Sequence, residues 1–300
     1  MELRVLRYFL AVARAESISG AAEALHLSQP TLSRQLKDLE DELGKQLFLR
    51  GNRRIVLTED GALLRKRANE ILGLVDKTVN ELSSTDDPVA GDVYLCAGET
   101  EAVHLITQAA KRLQARYPLV HYHISSGDSV DVTEQLDKGL VDFGLMFEPI
   151  DRSKYSTLPL PIQDVWGIHI RKDDPLAAQS SVTLRDVLDK PLILSRHLMD
   201  SGLMDTWFGG NVPPLNIVAT YSLAFNGSLM VDDGMGCMIC LDGILNTSGN
   251  SPLCFRPFSP PIYASMSLAW KKHQVFSKPA ATFLEELRLV CKERQNSSKP

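Results

Sequence analysis

The tightest constraint on the fold lies in residues 28–40. Leu32, Leu36 and Leu39 recur at i, i+4 and i+7, which predicts a helix from Gln29 to about Glu40 with one buried stripe. Ser28 precedes it as an N-cap, and Pro30 falls in the first turn, where its missing N–H costs nothing. Gln29, Thr31, Ser33, Arg34, Gln35 and Lys37 are left facing outward. Arg can pair with guanine edges, Gln with adenine, and Ser or Thr with phosphate or base. A solvated face beside a core stripe would carry the same pattern, so the flanking residues have to decide.

Upstream, Leu3, Leu6, Leu10 and Ala13 predict an amphipathic helix over Glu2 to Ala15. Ser17 or Ser19 can cap a short second helix whose Ala21 and Ala22 allow close helix crossing. Leu25-His26-Leu27 is the turn into the third helix. Downstream, Leu43, Leu47 and Phe48 continue the core. Arg50-Gly51-Asn52-Arg53-Arg54 forms a basic turn leading into a short strand, Ile55-Val56-Leu57. Arg50, Arg53 and Arg54 on that hairpin could contact phosphates or enter a minor groove. A helix-turn-helix with a basic wing is the simplest account.

Charge supports that location. The 300-residue chain has net charge −5, which excludes a wholesale basic coat, but residues 1–67 hold 12 basic and 9 acidic side chains against 20 and 28 in the rest. The length suggests two domains, and 44% hydrophobic with 23% charged residues excludes large-scale disorder. Arg4, Arg7 and Arg14 interrupt the opening apolar residues, so no signal peptide is expected. No apolar run reaches the length of a membrane span, about 18 residues. Five scattered cysteines fit a reduced, cytoplasmic setting.

Thr58 can cap a further helix that carries Glu59 and Asp60 in its first turn. Leu64, Ala68, Ile71, Val75, Val79 and Leu82 then form a near-heptad seam along about 25 residues, long enough to pair with a partner helix. Packing against its own domain is the alternative; a helix of this length extends beyond a small domain, which favours a dimer presenting two recognition helices.

Ser17-Ile18-Ser19-Gly20-Ala21-Ala22, Leu25, Leu27-Ser28-Gln29-Pro30, Leu32-Ser33-Arg34-Gln35, Leu39-Glu40, Leu43-Gly44, Leu47-Phe48, Arg50 and Leu57-Thr58-Glu59-Asp60-Gly61 closely resemble the N-terminus of LysR-type transcriptional regulators. The resemblance implies a winged helix-turn-helix, a dimerising linker helix and a C-terminal effector domain. It also implies binding to interrupted inverted repeats near promoters, commonly as a tetramer, with RNA polymerase as a further partner.

Beyond the polar hinge Ser83 to Pro88, strand and helix candidates alternate. Val93 to Ala97, Val120 to Ser125 and Val141 to Phe147 are extended; Glu101 to Tyr117 and Val130 to Lys138 are helical. A second series, with a helix near Thr183 to Leu188, runs to Met235–Leu241, and a terminal helix over Lys278 to Cys291 returns to the first lobe. The alternation argues for α/β lobes on parallel strands, joined by crossings near Leu160 and Ala264. Gly91-Asp92-Val93, Leu136 to Leu145 with Asp142, Leu268-Ala269-Trp270 and Phe283-Leu284 resemble the family's effector domain, which has the periplasmic-binding-protein fold. One departure is Gly234-Met235-Gly236 leading into Cys237-Met238, where many members carry Leu-Pro.

The expected architecture is therefore an all-α winged helix-turn-helix over 1–58, a linker helix over 59–87 and a two-lobed α/β domain over 91–300. Lobe I takes about 91–161 and 265–300, lobe II about 162–264. Ligands of such sheets bind beyond strand ends and against helix N-termini. The candidates are Gly98, Glu99, Thr100, Ser125, Ser126 and Phe147 in lobe I, with Ser195, Arg196, His197, Tyr221 and Ser222 in lobe II. The resemblance places Thr100, Ser126 and Ser195 in effector-holding regions. Hydroxyls and free N–H groups suit a carboxylate or similar anion, with Arg196 adding charge; each residue could equally serve only as a helix cap.

Cys237-Met238-Ile239-Cys240 is a lone C-x-x-C with apolar flanks, read as buried structure, and His121 with His123 lacks a third ligand. No phosphate-binding loop, dinucleotide fingerprint or nucleophile elbow is present, so neither cofactor nor metal is expected. An α/β-lobed enzyme with a regulatory helix-turn-helix, or an architectural DNA binder without effector, are the alternatives to a ligand-responsive regulator.

Overall fold

A computed structural model describes residues 1–50, 55–83 and 89–297. The chain divides into two units, Met1–Thr85 and Asp86–Pro300.

The first unit opens with α1 (Leu3–Ala15), α2 (Ile18–Ala24) and α3 (Gln29–Leu43). Ser17 caps α2 by accepting from Gly20 N, and Ser28 caps α3 by accepting from Thr31 N. α3 runs one turn further than its apolar stripe predicts and stops at Gly44, whose φ of 63° suits a residue without Cβ. β1 (Phe48–Arg50) and β2 (Ile55–Leu57) pair antiparallel, Arg50 opposite Ile55. Phe9, Ala21, Ala22, Leu32, Leu36, Leu39, Leu47 and Phe48 form the core.

α4 (Glu59–Ser83) follows, capped by Thr58, which accepts from Gly61 N at 2.9 Å and donates to Gln46 O at 2.7 Å. The seam of Leu64, Ala68, Ile71, Val75, Val79 and Leu82 spans an arc of about 80° at 3.6 residues per turn. Its first half belongs to the helix's own domain: Ala68 is fully buried and Leu64 and Ile71 pack beside it. Ala68 is therefore a core residue, which corrects its assignment to a dimer seam. Past the Arg7–Asp76 ion pair (2.7 Å) the same face emerges, with Val79 55% and Leu82 73% exposed.

The second unit is built on one eight-stranded mixed sheet. β3 (Gly91–Ala97) pairs in parallel with β4 (Val120–Ser126) and β5 (Phe143–Phe147), while α5 (Val103–Arg116) and α6 (Ser129–Asp137) make the crossovers. The long strands β6 (Tyr155–Arg171) and β10 (Leu253–Lys271) run antiparallel through both lobes. Their pairing shifts register between Pro257 and Ile262 and between Ser265 and Ser267, at the crossing. Lobe II adds β7 (Leu192–Ser195), α7 (Arg196–Asp200), α8 (Leu203–Trp207), β8 (Ile217–Tyr221), α9 (Ala224–Asp232) and β9 (Cys237–Leu241). The parallel reading thus holds within each lobe's outer strands; β6 and β10 are antiparallel because each must carry the chain between lobes. The segment near Thr183 to Leu188 is a single 3-10 turn, Leu184–Val187, held by a Thr183–Asp186 capping box. α10 (Lys278–Ser297) returns to lobe I, where Phe283 packs on Tyr122 and Phe143 and Glu286 pairs with Arg116 of α5.

Candidate functional site

α3 presents the face expected of it. Leu32, Leu36 and Leu39 are buried, whereas Ser28, Gln29, Pro30, Thr31, Arg34 and Lys37 are exposed and Ser33 and Gln35 half-buried. The Ser28 and Thr31 hydroxyls lie 2.7 Å apart, so both are engaged in starting the helix. Glu40 points the other way: one carboxylate oxygen accepts from Leu47 N (2.7 Å) and Phe48 N (3.2 Å), fixing the wing to the recognition helix. Ile55 N donates to Glu16 O at 3.0 Å, tying the returning strand to the end of α1. Arg50 ends β1; Arg53 and Arg54 lie outside the described residues.

In the second unit the strand ends of both lobes converge on a cleft of about 670 Å³, counted to its open mouth. Gly98, Glu99, Thr100 and Phe147 line it from lobe I, and Ser195, His197, Tyr221 and Ser222 from lobe II. Three of the residues predicted to line it do not. The Ser125 hydroxyl faces the other side of the sheet, where Leu95 O at 3.2 Å and Gln135 Oε1 at 3.1 Å share its one proton. Ser126 opens onto a neighbouring groove with His104 and Thr107. Arg196 turns back to lobe I, where it pairs with Asp128 at 2.7 Å and with Asp131 at 3.8 Å, so its charge is already matched. Adjacent strand residues point to opposite faces, and a turn can redirect a side chain that looks well placed in sequence.

The lining also includes residues that the strand-end argument missed. Gly127, Asp128 and Ser129 form the turn into α6, which a capping box of Asp128 and Asp131 begins; an Asp followed three residues later by a second acid was the available signal. Leu223 and Ala224 begin α9 without any side-chain cap. Val132, Leu145, Trp166, Cys240, Leu241, Ile244 and Met266 supply the apolar walls. Phe147 stacks on His197 at 4.6 Å and on Trp166 at 6.1 Å.

Polar contacts bridge the lobes across this cleft. The Glu99 carboxylate accepts from Ala224 N at the start of α9. Ser129 Oγ meets His197 Nδ1 at 2.9 Å. Thr100 donates to Asp164 of β6, which burial holds above the usual carboxylate range. Burial also pushes the His197 imidazole down, towards its neutral form.

The lone C-x-x-C places only Cys240 in the cleft wall, and the histidine pair lies outside it. Cys237 and Cys240 are three apart on β9 and so lie on opposite faces; burial pushes each thiol up to about 11. His121 and His123 share a face with Asp92 between them, at 4.0 and 3.1 Å, and His123 stacks on Tyr94. Among the described residues no group of three His, Cys, Asp or Glu could hold a metal ion, and no helix is long and apolar enough to cross a membrane.

A winged helix-turn-helix joined to a two-lobed domain with a cleft between its lobes is the architecture of a ligand-responsive, DNA-binding regulator. Residues 3–62 match the bacterial regulatory helix-turn-helix of the LysR family, and residues 86–292 match the LysR substrate binding domain. The chain belongs to the LysR family of transcriptional regulators. It is 29% identical to the HTH-type transcriptional regulator BsdA of Bacillus subtilis, over 95% of this chain and 99% of that protein. It is also 29% identical to the Hca operon transcriptional activator HcaR of Escherichia coli, over 98% of each. Among solved structures it is similar in fold to CbnR, a LysR family regulator, with a TM-score of 0.74, 19% identity and coverage of 97% of this chain and 99% of the other. CbnR bound to its target DNA matches with a TM-score of 0.72 and 19% identity, covering 97% of this chain and all of that one.

Proposed function

We propose that the chain acts in the cytoplasm as a promoter-binding regulator, assembled as a dimer or a tetramer, and catalyses no reaction of its own. In this reading 1–58 binds DNA, 59–87 links protomers and 91–300 senses a small molecule between lobe I (about 91–161 and 265–300) and lobe II (about 162–264). Gln29, Thr31, Ser33 and Arg34 read base edges of an interrupted inverted repeat, while Lys37, Arg50, Arg53 and Arg54 hold phosphates. The observation that carries it is the polar N-terminal half of α3, exposed opposite a fully buried leucine stripe, in a chain that also folds a cleft between two lobes.

Ligand binding changes DNA occupancy only through a difference in affinity between two arrangements of the protein. The polar contacts that bridge the lobes are the ones a ligand would remake.

A footprint of the purified protein on DNA flanking its own gene, taken across a salt series, tests this. Protection of a spaced inverted repeat that persists as salt rises supports sequence reading; uniform, salt-labile protection overturns it. Replacing Arg34 by Ala should cost about 1–3 kcal/mol on the specific site and relax base preference there. Equal losses on specific and random DNA would count against the base contact.

A further inference from the structure

We propose that the cleft selects a small organic cation, an ammonium group on an apolar body of aromatic size, and discriminates against carboxylates. The proposal rests on reading the cleft as the effector site.

The start of a helix facing a cleft is ordinarily where a ligand carboxylate finds free N–H groups. α9 offers such a start, since Leu223 supplies no side-chain cap, but the place is taken: the Glu99 carboxylate reaches over from lobe I to Ala224 N. A ligand carboxylate would meet Glu99 there. The rest of the lining offers it hydroxyls and the His197 ring but no opposite charge. Its charged side chains are Glu99 and Asp128, and no Lys or Arg is among the described residues that line it. The Arg196 guanidinium, next to the lining, is spent on Asp128. His197 is held towards neutrality by burial.

The same features suit a cation. An ionised carboxylate has about four lone-pair sites, so Glu99 can accept from a ligand N–H while still bonded to Ala224. Trp166, Phe147, Leu145, Ile244 and Met266 cover an apolar body.

The test is isothermal titration of the full-length protein with 2-phenylethylammonium, 2-phenylethanol and phenylacetate, with quenching of tryptophan emission as a second readout because Trp166 lines the cleft. The ammonium should bind at least about tenfold more tightly than phenylacetate. Glu99→Gln should weaken the ammonium and strengthen phenylacetate, whereas Glu99→Asp, which keeps the charge, should preserve the wild-type order. Far-UV circular dichroism verifies that each variant is folded. Tighter binding of phenylacetate or of the alcohol by the wild type, or an order that Glu99→Gln leaves unchanged, overturns the ligand class while leaving the cleft reading intact. Absence of saturable binding by all three overturns both.

Discussion

At the scale of single residues, the first unit is held in register by a few backbone-directed contacts. Glu40 secures the wing through two peptide N–H groups, and Thr58 both caps α4 and ties it to Gln46. Gly61 stands where that first turn of α4 crosses the chain leading into β1: a Cβ there would lie 2.1 Å from the Leu47 carbonyl oxygen. Backbone cannot yield as a side-chain tip can. Gly61→Ala should therefore destabilise the unit by about 2 kcal/mol or more, read as a lower urea midpoint of α-helical dichroism; an unchanged midpoint would show that the approach is looser. Gly61 is visible in the sequence as part of the family pattern, but the reason for it is a contact with a residue fourteen positions earlier.

At the scale of elements, α4 shows how one apolar stripe can serve two purposes. α1 and the wing cover the stripe as far as Ile71, and by Val79 and Leu82 it stands in the open. The period of the sequence gives the stripe and its length; it cannot say where the covering domain ends, because that depends on the size of three other elements. Leu82→Glu places a charge on the emergent part, where burying a leucine against a partner is worth about 1.5–3 kcal/mol. Self-association, measured by sedimentation, should weaken by about tenfold or more with helix content unchanged. Ala68→Glu should instead unfold the N-terminal unit, since Ala68 is enclosed by its own domain. Dimers as tight as wild type in Leu82→Glu would place the interface on another surface.

At the scale of the whole effector-binding unit, stability should depend on pH through histidines that the fold keeps neutral. His169, on β6, is fully buried; one ring nitrogen meets Leu241 O at 3.1 Å and the other, Nδ1, has no hydrogen-bond partner. Burial depresses its pKa below the ordinary 6.5, as it does for His197. The unfolded chain then takes up protons that the native state refuses, so this contribution is intact above 6.5 and is lost as pH falls through the depressed native pKa. Asp164, whose pKa burial raises, has the opposite sign: its contribution is present at low pH and lost as pH rises through its native value. Comparing urea midpoints of wild type and His169→Gln between pH 8 and pH 5 isolates the histidine. The wild type should lose more stability on acidification than the variant, and parallel profiles would remove His169 from the account.

Most of the elements, their order and the class of protein are legible in the sequence, the 3-10 turn at Leu184–Val187 being an exception. Leucine spacing, helix caps and alternating apolar segments are local properties, and α3 is legible because its exposed polar face and its buried face lie within four turns of one another. Tertiary structure alone decided the cleft. Glu99 and Ala224 are 125 positions apart, and Arg196 looks like a ligand's counter-charge until the fold sets Asp128 beside it. Ser125 and Ser126 sit at the right strand end, yet neither lines the cleft. Which side chains meet in a cleft between lobes depends on the pleat of each strand and on the two long strands that carry the chain across, and neither leaves a period in the sequence.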